Sequence, residues 1–134
     1  MREILGRHVH QKGSNITAER LRFDFSNPEK LTDIQKTAIE EWVNDKINQK
    51  LDIYVVETDP KTAKIKGAEG EFDARYGDKT LVYSIGGEID STHSISKEIC
   101  GGPHVKNTKE LGKFRIKKEE SSSAGVRRIK AVLE

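Results

Sequence analysis

Apolar and polar residues alternate without a break over residues 20–25: Leu21, Phe23 and Phe25 point one way, Arg20, Arg22 and Asp24 the other. A period of two predicts a half-buried strand whose second face carries charge, and Ser26-Asn27-Pro28 closes it. The period then lengthens. Leu31, Ile34, Ala38, Ile39, Trp42, Val43 and Ile47 recur at helical intervals, which predicts a helix with these residues on its buried side and Trp42 as a core anchor. Thr32 and Gln35 stand at capping-box spacing at its start. Nearer the N-terminus, Ile4, Leu5 and Val9 also fall at helical spacing, and Gly13-Ser14-Asn15 breaks that pattern. Nothing before Ile4 caps a helix, so this element is expected to begin upstream of Met1.

Further along, residues 52–57 read as a strand, Asp59-Pro60 as a turn, and residues 61–77 as a short helical or irregular stretch. A strand over residues 80–85 ends at Gly86-Gly87, and a polar loop over 88–98 leads into Ile99 and Cys100. Two more strands are expected, over 113–118 and 125–133, separated by Ser121-Ser122-Ser123. This order predicts an α+β fold: one domain spanning 1–134, with a mostly antiparallel sheet flanked by a few helices.

A chain of 134 residues is long enough to bury one core, and 34% hydrophobic with 34% charged residues is polar without being extreme. No apolar run approaches the ~20 residues that span a bilayer, so a soluble, cytoplasmic protein with no membrane partner is expected. The net charge of +2, from 24 basic and 22 acidic residues, neither requires nor excludes a nucleic acid. Basic residues do gather late in the chain, at Lys113, Arg115, Lys117, Lys118, Arg127, Arg128 and Lys130. Solvated strand faces and an RNA-facing surface explain them equally well.

A single cysteine makes no intramolecular disulfide; it is a small buried hydrophobe, a metal ligand or a nucleophile. Cys100 and His104 form a C-x3-H pair around Gly101, Gly102 and Pro103. Thiolate and imidazole suit zinc, and a tight glycine loop can present both, but two donors are half of a tetrahedral site. Spacing alone therefore favours a buried Cys beside a loop His with no metal. His8 and His10, if helical, diverge by roughly 200° and cannot share a metal. His93 carries no spacing signal as a ligand. A Cys–His hydrolase, with Cys100 as nucleophile and His104 as base, would need an orienting group and an oxyanion hole that the sequence does not mark.

Several stretches together resemble the editing domain of alanyl-tRNA synthetases, the second additional domain shared with threonyl-tRNA synthetases. They are residues 6–14 (Gly-Arg-His-Val-His-Gln-Lys-Gly-Ser), 20–25, 99–105, 111–114 and 124–129, in family order over nearly the whole chain. The glycine-cysteine loop is common to both synthetase families, whereas the Arg20 to Phe25 strand and Gly125-Val126-Arg127-Arg128-Ile129 look alanyl-type. Pro103 departs from that pattern, since alanyl-type loops usually carry threonine there. The resemblance implies a hydrolase that removes wrongly attached serine or glycine from the acceptor end of alanine tRNA. It implies zinc held by Cys100 and His104 with an H-x3-H pair that would lie before residue 1. On that expectation the chain is N-terminally truncated and its own activity is in doubt. It places Gln11 beside the substrate pocket and Arg20 and Arg22 near the tRNA, with ATP used only in a separate domain of a full-length enzyme that supplies further domain partners. A free-standing editing protein would carry its own H-x3-H, and a non-catalytic tRNA-binding or structural module would need no metal.

Overall fold

The computed structural model describes residues 1–70 and 77–134, so the last part of the stretch expected over 61–77 lies outside the described residues. Among the described residues three α-helices, α1 (Arg2–Leu5), α2 (Asp33–Asn48) and α3 (Pro60–Ile65), accompany seven strands. These are β1 (Gln11–Ile16), β2 (Leu21–Ser26), β3 (Ile53–Thr58), β4 (Thr80–Ile85), β5 (Ser96–Ile99), β6 (Phe114–Ser123) and β7 (Val126–Leu133). The architecture is α+β, as expected. The antiparallel strands divide between two sheets, ordered β1-β2-β7-β6 and β3-β4-β5. The chain gathers into two compact units, residues 1–48 with 111–134, and residues 49–110.

In the first unit, β2 keeps the alternation its sequence announces. Its partner register sets Leu21, Phe23 and Phe25 against Ala131, Ile129 and Arg127 on the inner face of the sheet. There Phe25, Ile129, Ala131 and Phe114 pack with Val9, Leu31, Ile39 and Ile47. The capping box forms in both directions, Thr32 N–H to Gln35 Oε1 at 2.9 Å and Gln35 N–H to Thr32 Oγ1 at 3.1 Å. The buried face of α2 is narrower than its apolar content suggests. Ile39, Val43 and Ile47, one row at four-residue steps, meet the core, whereas Ile34 is 83% exposed. Trp42 is half-buried, outside that cluster, with Lys46 Nζ 5.2 Å from its ring centroid; it is not the core anchor its position suggests.

Helix α2 also closes one sheet edge. Asn44 donates to Phe114 O at 2.9 Å and accepts from Phe114 N–H at 2.7 Å, while Glu40 Oε1 accepts from Ile116 N–H at 2.6 Å. Side chains thus satisfy backbone groups that an edge strand would otherwise leave open.

Four local readings change. The N-terminal helix stops at Leu5, and Gly6 at φ +123 turns the chain, so His8 and His10 approach β1 in non-helical backbone. Gly13-Ser14-Asn15, a breaker by composition, lies inside β1. Ser121-Ser122-Ser123 is not a separator but the end of β6; the turn is Ala124-Gly125, with Gly125 at φ +71. Asp59-Pro60 opens α3, with Asp59 Oδ2 capping Thr62 N–H at 2.9 Å and Pro60 in the first turn.

In the second unit, α3 and the loop after it pack Ala63 and Ala68 against Val82 and Ile99 of the three-stranded sheet and Ile89 of the loop between β4 and β5. Strand β5, which the polar composition of 88–98 hides, is held on both sides. It pairs with β4, and on its other flank Glu69 N–H meets Lys97 O and Ile99 N–H meets Glu69 O, both at 2.8 Å.

Candidate functional site

Cys100 follows β5 directly. Its N–H donates to Leu81 O at 3.1 Å, one more rung of the β4–β5 ladder after the Val82–Ile99 pair. Ile99 turns into the core, so strand alternation sends Cys100 toward the opposite face, the face of Leu81 and Tyr83. The thiol is half-buried, and the loop curls back so that Gly102 N–H donates to Sγ at 3.4 Å. A Cβ on Gly101 would meet nothing within 4 Å, and one on Gly102 would stand 3.7 Å from Sγ. Neither glycine is in the left-handed region. They are therefore not demanded by the turn; what they do is leave the loop bare beside the sulfur, where bulk would block a ligand's approach.

His104, four residues on, is fixed by an aromatic neighbour that residue spacing does not reveal. Its ring stacks on Tyr83, with centroids 3.8 Å apart and planes at 27°. Tyr83 belongs to the middle strand of its sheet, paired with Val55 on one side and Glu98 on the other. Alternation in β4 buries Val82 and Ser84 and turns Tyr83 to the other face, which is the one signal that could have found it. Desolvation holds the His104 imidazole below its ordinary pKa, so it is neutral near pH 7, the form that binds metal or accepts a proton. Among the described residues no group of three or more His, Cys, Asp and Glu side chains converges as a metal site. Thiol and neutral imidazole on one short loop fit zinc chemically, as two of four donors.

His8 and His10 are committed elsewhere. His8 Nε2 meets Asn27 Oδ1 at 2.6 Å, and His10 Nδ1 accepts from the Arg2 guanidinium at 3.2 Å. His93 lies with Tyr54, Glu88, Asp90 and Ser91 around an open depression beside Gly86 and Gly87.

Gln11, Arg20 and Arg22 belong to the first unit, Cys100 and His104 to the second. Gln11 opens β1 and is half-buried. A β-bulge between Gln11 and Gly13 lets both Gln11 and Ser14 pair with inner-face residues, Phe25 and Phe23. Their side chains consequently meet, Gln11 Nε2 to Ser14 Oγ at 3.0 Å. Gln11 is thus a strand residue with a hydroxyl partner. Arg20 sits in the exposed turn before β2 with Nη1 3.3 Å from Asn15 Oδ1, and Arg22 lies on the outer face of β2.

The model for the threonyl and alanyl tRNA synthetase second additional domain matches residues 81–130, a span that holds Tyr83, Cys100 and His104. Proteins named alanine–tRNA ligase align along nearly the whole chain. That of Treponema denticola is 52% identical over 100% of the chain, that of Borreliella burgdorferi 52% over 97%, and that of Pseudomonas savastanoi 45% over 98%. Residues 81–130 belong to this family of second additional domains. The chain spans 21% of the length of the first two relatives and 14% of the third. Within the matched span, the Cys100–His104 loop follows β5, and Tyr83 stacks on His104.

Proposed function

We propose that this second additional domain hydrolyses the ester joining wrongly attached serine or glycine to alanine tRNA, with zinc held in part by Cys100 and His104. The observation that carries the reading is the loop itself: a half-buried thiol and a neutral, Tyr83-stacked imidazole on four-residue spacing, in a chain about half identical to alanine–tRNA ligases. Zinc, when bound, supplies Lewis acidity at the ester or a hold on the amino acid's amino group. The chain's own residues do the rest. Tyr83 keeps the His104 ring oriented, and the bare glycine backbone lets the acceptor end come close. In a longer chain, an H-x3-H pair ahead of residue 1 would complete the donor set.

In an alanine–tRNA ligase carrying this domain, Cys100→Ser or His104→Ala should slow deacylation of serine-charged alanine tRNA. The loss should be at least the ~100-fold that removing even a supporting residue of a metal site can cost. The 134-residue chain alone should bind zinc weakly and turn over slowly or not at all. Wild-type deacylation rates in both variants would exclude the reading.

Gln11 supplies discrimination. Its amide already binds one serine hydroxyl, that of Ser14, and the same geometry suits the hydroxyl of a misattached serine. A substrate hydroxyl gives that amide a further hydrogen bond that alanine does not offer, which favours serine over alanine. Gln11→Ala is expected to lower serine removal roughly tenfold, the worth of one hydrogen bond, while glycine removal stays near wild type. Equal losses on both substrates in parallel deacylation assays would assign Gln11 to scaffolding instead.

A further inference from the structure

The outer face of the four-stranded sheet is independent of the loop site and holds an arrangement that folding alone does not explain. Register sets Arg22 opposite Lys130 on β7, and Lys130 opposite Lys118 on β6. Three cations thus stand side by side across neighbouring strands, a row roughly 10 Å long at ordinary strand spacing. Like charges directly opposite each other in a sheet oppose folding. The next row, Asp24, Arg128 and Glu120, supplies two carboxylates for the four cations of both rows. Each carboxylate is shared. Arg128 takes Asp24 with two hydrogen bonds, at 2.7 and 3.0 Å, leaving Arg22 at 3.6 Å. Glu120 divides between Lys118 at 3.1 Å and Lys130 at 3.2 Å. Arg22 Nε is buried with no hydrogen-bond partner among the described residues.

Shape limits what this face can recognise. The aromatic residues of these four strands, Phe23, Phe25 and Phe114, belong to the inner face or its core, so the outer face has no ring on which a base could stack. Cations without stacking platforms suit phosphates and carry no sequence preference. We propose that the row Arg22–Lys130–Lys118 is a phosphate-contacting surface for the backbone of helical RNA, holding the tRNA independently of the ester-cleaving loop. This rests on the reading of tRNA as the domain's partner and extends it from a single strand to a face built by β2, β7 and β6.

The test uses the 134-residue chain and a fluorescently labelled 12-base-pair RNA duplex of arbitrary sequence, with anisotropy read across a salt series. Neutralising the row with R22Q, K118Q and K130Q together should weaken binding at least tenfold. It should also flatten the slope of log affinity against log salt by about one for each phosphate that the protein no longer neutralises. Glu120→Gln, which frees both lysines, should tighten binding. Lys118, with a side chain 61% exposed, gives a single variant, K118Q, that retains the fold if changes at Arg22 unfold it, and it should show one such step. Unchanged affinity and slope in folded variants would overturn the proposal, as would equal binding of poly-glutamate in place of RNA. The duplex carries no aminoacyl ester, so a failed deacylation assay and a failed binding assay remain separate results.

Discussion

Phe25→Ala should destabilise the protein by about 3–5 kcal/mol, the range for emptying the space of a fully buried aromatic ring. Phe25 is 0% exposed and packs in the cluster with Leu31, Ile39, Ile47 and Ile129. Its ring also lies 5.9 Å from that of Phe23 at 18°, a stacked pair that adds up to roughly 1 kcal/mol beyond area burial. Periodicity gives Ile34 the same claim to the core, yet its exposure means Ile34→Ala should change stability by no more than about 0.5 kcal/mol. Urea denaturation of the two variants side by side decides the matter. Comparable losses would mean that α2 presents a different face from the one described.

The second large effect is electrostatic and depends on pH. Glu119 has a side chain 1% exposed and accepts from Arg127 at 2.6 and 3.0 Å and from Leu31 N–H at 2.8 Å. Burial pushes its carboxyl up, but these donors outweigh burial and hold it below the ordinary value of about 4.3. A depressed folded-state pKa contributes stability that is present above about pH 4.3 and lost as pH falls through the folded value. Arg127→Met leaves the carboxylate enclosed without its cation. The expected cost at pH 7 is about 3 kcal/mol, the low end for breaking a buried pair because Arg127 itself keeps 18% exposure. In that variant only the Leu31 N–H and the Lys30 charge still oppose burial, the largest influence on this carboxyl, so the folded pKa is expected to rise above the unfolded one. Stability should then increase as pH falls from 7 toward 5, where the wild-type pair contributes a constant amount. Denaturation midpoints at pH 5 and 7 measure the difference, and parallel shifts in the two proteins would refute the assignment.

What can be read from the residues follows how each element earns its stability. Strand β2 is legible because a half-buried strand must alternate, and the α2 start is legible because Thr32 and Gln35 satisfy backbone groups locally. The α2 face is not: its apolar residues fill two adjacent rows, and the position of the sheet, a tertiary fact, selects one. Strand β1 and the end of β6 leave little trace because Gln-Lys-Gly-Ser-Asn and the three serines bury little; their order comes from backbone pairing with β2 and β7. At the site, Cys100 and His104 are visible as a local spacing. Tyr83 is not, since its stacking on His104 depends on how β4 and β5 align.

One of the two inner strands of the four-stranded sheet, β7, is the latest made of these elements. About 100 residues separate the end of β2 from the start of β7, and the whole second unit is encoded between them. At synthesis rates of about 5–20 residues per second, the Leu21–Phe23–Phe25 face waits roughly 5–20 s on the ribosome for its central partner. A two-stranded β1–β2 ribbon is marginal by itself in water. The intervening unit, whose sheet is built from contiguous residues, can fold during that interval. Slow translation through residues 49–110 should therefore burden the first unit, and it is the nascent β2 surface that a chaperone would need to shield.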